Sequence, residues 1–326
     1  MIIPPKLKKG NRITVVSPSR SLSIVSQEVR DIAIKRLLDM DLTVGYSKNA
    51  EESDEFNSSS IKSRVEDIHE AFSDPLVGGI LTTLGGFNSN QILKYLDYDL
   101  IKSHPKILCG YSDITALQNA IYAKTGLVSY YGPHFSTFGM QKGIEYTLEY
   151  FQKCLMNEDP FEIHPSKEWS DDEWYIDQEN RTFFPNQGYN ILNEGEAEGI
   201  IIGGNIGTLN LLQGTEFMPS LKNAILFLED DSESLIHHFD RDLQSLIHLP
   251  DLSEVRGIVI GRFQRASEIS NEMLLKTIKT KKELNSIPII CGADFGHTTP
   301  QITFPIGGKV KIEAKGSKIK IEIPEY

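Results

Sequence analysis

The amino-acid sequence predicts an α/β fold, with an N-terminal open parallel sheet flanked by helices and a smaller C-terminal β/α domain. In the first half, short apolar runs alternate with stretches of helical periodicity, and the connections between them are short. The first run, RITVVSPS (12–19), is apolar on both sides, which is typical of a parallel sheet covered on both faces. A chain of 326 residues is long enough for two domains or one large one.

Residues 25–40 are predicted to form the first helix. Val25, Val29, Ile32 and Leu37 fall on one stripe of that helix, and an apolar stripe of this kind packs against a sheet. The elements that follow are predicted in this order: a strand at 42–47, a helix through 63–72, strands at 78–86 and 106–112, a helix at 114–126 and a strand at 127–132.

The second half resumes the alternation and ends in a β-hairpin. The segments KVKIEA and KIKIEI alternate strictly around a Gly-Ser turn, as antiparallel strands with one solvated face do. The other predicted elements are strands at 198–204, 224–230, 256–263 and 287–297, with helices through NIGTLNLLQ, around SLIHHFDRDLQSLIH and near 271–283.

Residues 157–195 separate the two halves. This segment is polar, contains three prolines and both tryptophans, Trp169 and Trp174, and shows no sustained period. A stretch of this length without periodicity is usually a functional loop or a linker. We therefore divide the chain into an N-terminal α/β domain (1–156), a tryptophan-bearing substrate loop or linker (157–195) and a C-terminal α/β domain (196–326).

The charge balance and the cysteine content exclude several classes of protein. The 33 Lys and Arg residues against 45 Asp and Glu residues give a net charge of −12, so nucleic-acid binding is not expected. No apolar run approaches the about 18 residues of a membrane span, and the N-terminus lacks an apolar signal segment. We therefore expect a cytoplasmic protein without a membrane partner. Three cysteines without close spacing argue against a disulfide framework or a zinc site.

Ser112 lies in the sequence GYSD, between an apolar run and the predicted helix at 114–126. A serine at a sharp turn from strand to helix has its hydroxyl raised above the sheet edge. The backbone N–H of Asp113 then lies at the helix N-terminus, where it points toward a forming oxyanion. The same residues also fit a simpler interpretation, in which Ser112 or Asp113 caps the helix.

Glu229 and His297 follow two further predicted strands. Ligands of open α/β sheets bind outside the carboxyl ends of the strands, so Ser112, Glu229 and His297 all fall where chemistry is expected. The order serine, acid, histidine also occurs in α/β-hydrolases. In the alternative interpretation, Glu229 belongs to a solvated acidic loop and His297 to a turn. His134, which also follows a strand, is the other candidate base.

No motif indicates a metal or a cofactor. The histidines show none of the spacings of metalloproteases, and GGNIG (203–207) does not match the dinucleotide motif G-x-G-x-x-G. A second glycine turn contains Gly85 and Gly86, which allow backbone N–H groups to approach a ligand closely. These groups serve as an oxyanion donor or as a clamp for a carboxylate, unless the glycines only shape the turn.

Six segments occur together and in the same order as in a known family. They are GGILTTLGGFNSNQIL, PKILCGYSDITAL, YYGPHF, IIGGNIGTLNLLQGTEFMP, ILFLEDDSE and GHTTPQITFPIGG. Because of these six segments, the chain resembles the serine peptidases that include LD-carboxypeptidases and microcin C immunity peptidases. The resemblance covers nearly the whole chain. The resemblance implies a triad of Ser112, Glu229 and His297. It also implies a Rossmann-like or flavodoxin-like N-terminal domain that carries the serine, an active site at the domain interface, and a homodimer.

The loop at 157–195 resembles the immunity-type branch of that family, in which loop tryptophans stack on a nucleotide base. Alternatively, Trp169 and Trp174 pack the loop onto the body of the protein. The resemblance implies a serine carboxypeptidase that needs no cofactor and cleaves the amide between an aminoacyl group and a nucleotide-like moiety. Two alternatives stay open: an LD-carboxypeptidase that removes terminal D-Ala from murein tetrapeptides, and a catalytically silent ligand-binding protein.

The same resemblance suggests how a small peptide or peptidyl-nucleotide substrate is held. The N–H of Asp113 and one from Gly85 or Gly86 bind the oxyanion in this interpretation. Asn205, at the start of a predicted helix, is expected to bind the amino-acid portion of the substrate.

Overall fold

The computed structural model describes residues 1–326, which contain sixteen strands and eight α-helices. The strands are β1 (Arg12–Val16), β2 (Thr43–Tyr46), β3 (Val77–Thr82), β4 (Ile107–Gly110), β5 (Ser129–Tyr131), β6 (Phe161–Glu162), β7 (Glu168–Trp169), β8 (Phe184–Pro185), β9 (Asn190–Asn193), β10 (Gly195–Asn205), β11 (Ala224–Glu229), β12 (Gly257–Gly261), β13 (Ile289–Ala293), β14 (Phe304–Ile306), β15 (Lys309–Lys315) and β16 (Lys318–Glu325). The helices are α1 (Gln27–Leu38), α2 (Ile61–Ser73), α3 (Tyr98–Ser103), α4 (Thr115–Thr125), α5 (Glu145–Met156), α6 (Ile206–Asn210), α7 (Ile236–Ile247) and α8 (Asn271–Lys279). None of these helices has both the length and the apolar character that a membrane span requires.

The first sheet has six strands in the order β14-β5-β4-β3-β1-β2. Strands β1 to β5 are parallel to one another, and only β14 is antiparallel. The central strands β3 and β4 are buried along nearly their whole length. The open parallel sheet that the sequence predicts is therefore confirmed, and the loops after β1, β3, β4 and β5 share one edge of it.

The second sheet has eight strands in the order β6-β16-β15-β10-β11-β12-β13-β9. Strands β10 to β13 are parallel at its centre, whereas β15, β16 and β6 on one side and β9 on the other are antiparallel. The predicted terminal hairpin is confirmed as β15 and β16, in which Lys311 pairs with Glu322. Glu229 is the last residue of β11, and His297 follows β13 by four residues.

Aromatic side chains join the two sheets. Strand β14 comes late in the chain but pairs with β5 of the first sheet, so that Phe304 lies opposite Tyr131. The Tyr131 ring stacks on Phe304 at 5.0 Å between centroids, and Phe227 of the second sheet lies 4.8 Å from Phe304. Residues 304–306 therefore belong to the N-terminal sheet, although the sequence analysis placed them in the C-terminal domain. The reason is that three apolar residues carry no local signal of which sheet they join. The boundaries of the predicted domains stay a prediction.

Residues 157–195 form short strands rather than one irregular loop. Strand β6 adds to β16 at one edge of the second sheet, β9 forms the other edge, and β7 pairs with β8 as a separate ribbon. These strands have two to four residues, which is too short to show an alternating pattern. The segment is thus attached to the second sheet at both of its ends.

Asp294 anchors this segment to the loop that follows β13. Its buried carboxylate accepts hydrogen bonds from the Ser166 N–H and the Ser166 hydroxyl, both at 2.9 Å, and from the Tyr189 hydroxyl at 3.2 Å. Arg262 donates to the same carboxylate at 3.0 Å and balances its charge. Because a buried charge is stable only when it is paired and hydrogen-bonded, these contacts hold the segment in one position.

Replacing Asp294 by Asn is expected to loosen residues 157–195. The variant leaves the Arg262 charge without its partner, and breaking a buried pair costs about 3–5 kcal/mol. We expect a lower melting temperature and faster limited proteolysis within the segment. Asp177→Asn is the control, because Asp177 accepts hydrogen bonds only within its own exposed turn. Equal melting temperatures and cleavage rates in both variants would contradict the anchoring role.

Candidate active site

Ser112 occupies a strained turn between β4 and α4. Its φ is +60°, in the left-handed region that L-residues adopt at a cost of about 1–2 kcal/mol. Such a turn directs the side chain toward the sheet edge, as in the nucleophile elbow of hydrolases. The capping interpretation is wrong, because no side chain caps α4. The carboxylate of Asp113 instead accepts hydrogen bonds from the Ser19 hydroxyl and from the N–H groups of Asn88 and Ser89.

The structure brings Ser112, Glu229 and His297 together, although they follow strands of two different sheets. His297 Nε2 lies 3.0 Å from Ser112 Oγ, and His297 Nδ1 lies 2.7 Å from Glu229 Oε2. A carboxylate only accepts hydrogen bonds, so the Nδ1–H donates to Glu229 and Nε2 of the neutral ring accepts from the serine hydroxyl. This is the arrangement in which a histidine can take the proton of an attacking serine.

Two opposing effects set the protonation of His297. Burial disfavours the charged imidazole, but the charge of Glu229 and its hydrogen bond outweigh burial and raise the pKa of His297 to about 9. Because Glu229 is only 1% exposed, little water screens the pair. The neutral, proton-accepting form of His297 therefore increases as the pH rises toward 9, and the imidazolium that forms during an attack is stabilised.

Tyr131 connects the acid to the serine, and the sequence analysis missed it. Its hydroxyl donates to Glu229 Oε1 at 2.7 Å and accepts from the Ser112 N–H at 3.2 Å. Burial and the charge of Glu229 raise the pKa of Tyr131 well above its usual value, so the hydroxyl keeps its proton. Both carboxylate oxygens of Glu229 are thereby occupied, one by His297 and one by Tyr131. The only sequence signal for this role of Tyr131 is its position at the end of a predicted strand, in YYG.

Three backbone N–H groups in the turns around Ser112 have no hydrogen-bond acceptor. The N–H groups of Asp113, Gly85 and Gly86 have no acceptor within the protein. A Cβ at Gly85 would lie 3.0 Å from Ser112 Oγ, and one at Gly86 would lie 2.2 Å from Ser19 Oγ. A side chain at Gly85 would therefore crowd Ser112, and one at Gly86 would clash with Ser19. The role of these N–H groups in binding an oxyanion or a carboxylate stays a prediction.

Ser112 and His297 open into a cavity of about 490 Å³. Trp174 and Tyr175, from the segment 157–195, line this cavity, together with Phe87 from the turn after β3. The Trp174 and Tyr175 rings meet edge to face, with centroids 5.9 Å apart. An aromatic wall beside a nucleophile can stack a planar group of a ligand.

Trp169 and Asn205 lie outside this cavity. Trp169 packs against Phe184, with 5.4 Å between ring centroids, and the Arg262 guanidinium lies 5.0 Å from the Trp169 ring centroid. Asn205 caps α6 through its side-chain oxygen and donates its amide to Asp230 at 3.2 Å. Because both side chains are engaged elsewhere, their positions do not support the substrate contacts predicted for them.

His134 lines the cavity but is not hydrogen-bonded to Ser112. Its Nδ1 lies 2.7 Å from the Thr82 hydroxyl, and burial lowers the pKa of His134 to about 3, so its ring stays neutral. Of the two candidate bases, only His297 is bonded to the serine. No group of three His, Cys, Asp or Glu side chains is arranged to hold a metal ion. The three cysteines are free and buried.

The sequence matches a known protein family in both of its halves. Residues 13–132 match the LD-carboxypeptidase N-terminal domain, and residues 198–312 match the LD-carboxypeptidase C-terminal domain. The chain belongs to the LD-carboxypeptidase family. The family that the six sequence segments indicated is thus confirmed, and with it a carboxypeptidase-type enzyme.

Three relatives from this family differ in what their names state. "Putative carboxypeptidase YocD" of Bacillus subtilis (strain 168) is 60% identical over 98% of this chain and 99% of its own. The microcin C7 self-immunity protein MccF of Escherichia coli is 35% identical over 82% of this chain and 80% of its own. "Probable murein peptide carboxypeptidase" of Bacillus subtilis (strain 168) is 29% identical over 98% of this chain and 94% of its own.

Solved structures share the two-domain α/β fold. An MccF-like protein from Bacillus anthracis str. Ames has a TM-score of 0.99 and 58% identity, with all of both chains covered. MccF in complex with aspartyl sulfamoyl adenosine has a TM-score of 0.89 and 30% identity, covering 100% of this chain and 99% of that one. The predicted fold class is confirmed by these neighbours.

Replacing Tyr131 by Phe is expected to impair catalysis while keeping the ring in place. A hydrogen bond to a charged group contributes about 1.5–3 kcal/mol, so kcat should fall about 10-fold or more, with little change in KM. In the native enzyme, kcat/KM should rise with pH toward a midpoint near the His297 pKa of about 9. Without the Tyr131 donor, Glu229 attracts the imidazolium more strongly, so this midpoint should move to higher pH.

Tyr130→Phe is the matched control for this experiment. Tyr130 precedes Tyr131 in β5, is equally buried, and its hydroxyl has no hydrogen-bond partner. Its loss should leave the pH profile of kcat/KM unchanged. A native profile in Tyr131→Phe, or the same shift in both variants, would contradict the positioning role of Tyr131.

Proposed function

We propose that this enzyme is a serine hydrolase that cleaves the amide between an aminoacyl group and a nucleotide-like moiety. The observation that carries the proposal is the position of Trp174, whose indole lines the same cavity as Ser112 and His297. Stacking of a base on an aromatic side chain contributes about 1–3 kcal/mol. A base held on this indole keeps the rest of the same molecule within the cavity, near the serine.

In the proposed reaction, Ser112 Oγ attacks the carbonyl carbon of the amide while its proton passes to Nε2 of His297. The N–H groups of Asp113 and of Gly85 or Gly86 stabilise the negative charge on the carbonyl oxygen. His297 then gives the proton to the leaving nitrogen as the C–N bond breaks, and the acyl group stays on Ser112 as an ester. Water, deprotonated by the same imidazole, hydrolyses this ester and restores the serine.

Glu229 and Tyr131 support this reaction without touching the substrate. Glu229 keeps the Nδ1–H tautomer of His297 in place and stabilises the imidazolium that forms during the attack. Tyr131 prevents the Glu229 carboxylate from rotating away, because it donates to the other oxygen. MccF, which binds aspartyl sulfamoyl adenosine, supports the ligand class, since that molecule carries an aminoacyl group and a nucleoside. The homodimer and the cytoplasmic location stay predictions.

A second candidate function is the removal of terminal D-Ala from murein tetrapeptides. The observation that favours it is the acidic loop after β11, where Asp231 and Glu233 line the cleft beside His297 and form no salt bridge. Carboxylates that no lysine or arginine neutralises repel a phosphate and attract the ammonium group of a peptide. The murein peptide carboxypeptidase relative supports this candidate through its name.

The two functions are separated by incubating the purified enzyme with one substrate of each kind. We expect mass spectrometry to show cleavage of aspartyl sulfamoyl adenosine and none of a murein tetrapeptide that ends in D-Ala. Ser112→Ala should abolish turnover and change stability by less than about 1 kcal/mol. Cleavage of the tetrapeptide alone would establish the second function. Full activity of Ser112→Ala would contradict the nucleophile assignment, and tight binding without hydrolysis in the native protein would indicate a silent binding protein.

Replacing Trp174 by Ala should weaken nucleotide-bearing substrates much more than peptides. Loss of about 1–3 kcal/mol of stacking corresponds to a rise in KM of about 5- to 150-fold for the aminoacyl-nucleotide substrate. Trp169→Ala is the control, because that indole lies outside the serine cavity. An equal loss for peptide and nucleotide substrates would speak against stacking on Trp174.

A further inference from the structure

Arg20 is the one arginine or lysine that lines the serine cavity, and its guanidinium has no hydrogen-bond acceptor within the protein. It forms no salt bridge and donates no side-chain hydrogen bond. Eight of the ten arginines in the chain do donate to an acceptor within the protein. The other arginine without an acceptor, Arg241, lies on an exposed position of α7. An unpaired guanidinium inside a cleft is therefore unusual in this molecule.

The backbone holds Arg20 beside the oxyanion turn. Arg20 follows β1 by four residues, at the same sheet edge as Ser112, and its N–H donates to the Gly85 carbonyl at 3.4 Å. A Cβ placed on Gly86 would lie 3.0 Å from Arg20 Cγ, so the side chain runs along this turn. The guanidinium carbon lies 5.2 Å from the Phe87 ring centroid, in a cation–π contact that directs it along the cleft wall.

Arg20 and Phe87 lie at the junction of three cavities. Both line the serine cavity, the acidic extension that contains Asp231 and Glu233, and a third cavity at the N-terminal end of α2. The acidic extension contains no other arginine or lysine. A substrate that fills the serine cavity thus meets one arginine and no lysine, and that arginine has all five of its N–H donors available.

We propose that Arg20 binds a carboxylate of the substrate, apart from the amide that reacts at Ser112. The inference rests on the proposed function only in that the substrate occupies the serine cavity. A guanidinium presents its donors as a planar fork that matches a carboxylate with two parallel hydrogen bonds. The carboxylate has two sources, which are the acidic side chain of the aminoacyl group or the terminal carboxylate of a peptide.

The test measures binding rather than turnover, in a Ser112→Ala background that does not consume the ligand. Isothermal titration calorimetry compares aspartyl with asparaginyl sulfamoyl adenosine, and a murein tetrapeptide with the same peptide carrying a terminal carboxamide. In the Ser112→Ala protein we expect the acid of at least one pair to bind about 10- to 100-fold more tightly than its amide. The pair that shows this preference identifies the source of the carboxylate.

Adding Arg20→Gln should reduce that preference to less than about 3-fold while leaving the affinity for the amide nearly unchanged. Arg256→Gln is the control, because it removes the same charge from a side chain that lines none of these cavities and donates hydrogen bonds only to Asn223. A preference that survives Arg20→Gln, or the absence of any preference in Ser112→Ala, would overturn the proposal. Binding and cleavage are measured separately, so the two proposals can fail separately. If the acids bind through Arg20 but the native enzyme cleaves neither, the proposed function is refuted and the role of Arg20 is not.

Discussion

Glu229 is the buried charge on which the rest of the candidate site depends. Its carboxylate is almost inaccessible to water, so both of its oxygens must be satisfied by donors within the protein. One donor, His297, lies in the loop after β13 of the second sheet, and the other, Tyr131, is the last residue of β5 in the first sheet. This one carboxylate is therefore a contact point between the two sheets, in addition to the aromatic packing around Phe304. Ser112 is brought into register by the same contact, because its N–H donates to Tyr131.

Close backbone approach is the second constraint on the site. Gly296 has a φ of +99°, and a Cβ there would lie 2.5 Å from Glu229 Oε2, so only glycine lets the His297 loop come this near to the acid. Ser112 also adopts a positive φ, although it is not glycine. Strain of this kind persists only where surrounding contacts compensate for it. The contacts of Asp113 with the turn after β3, together with the Tyr131 hydrogen bond, provide that compensation.

The segment that carries Trp174 is attached to the same loop as the candidate base. Ser170 and Thr299 exchange two backbone hydrogen bonds, at 2.7 and 2.8 Å, and Thr299 is two residues beyond His297. Asp294, three residues before His297, binds the segment through Ser166. The aromatic wall and the imidazole therefore share one support. A displacement of the segment would therefore disturb the position of His297 as well as the aromatic wall of the cavity.

The sequence alone determined the parallel arrangement of the first sheet, the terminal hairpin and the grouping of Ser112, Glu229 and His297 at strand ends. These features are encoded locally, by the periodicity of each strand and by the rule that ligands bind at the carboxyl edge of such sheets. Only the tertiary structure decided that Tyr131 joins the acid to the serine, because Tyr131 lies 98 positions from Glu229 and 19 positions from Ser112 in the chain. It likewise separated Trp174, which lines the serine cavity, from Trp169, which does not. Such contacts depend on which distant loops meet, and neither composition nor spacing along one chain records that.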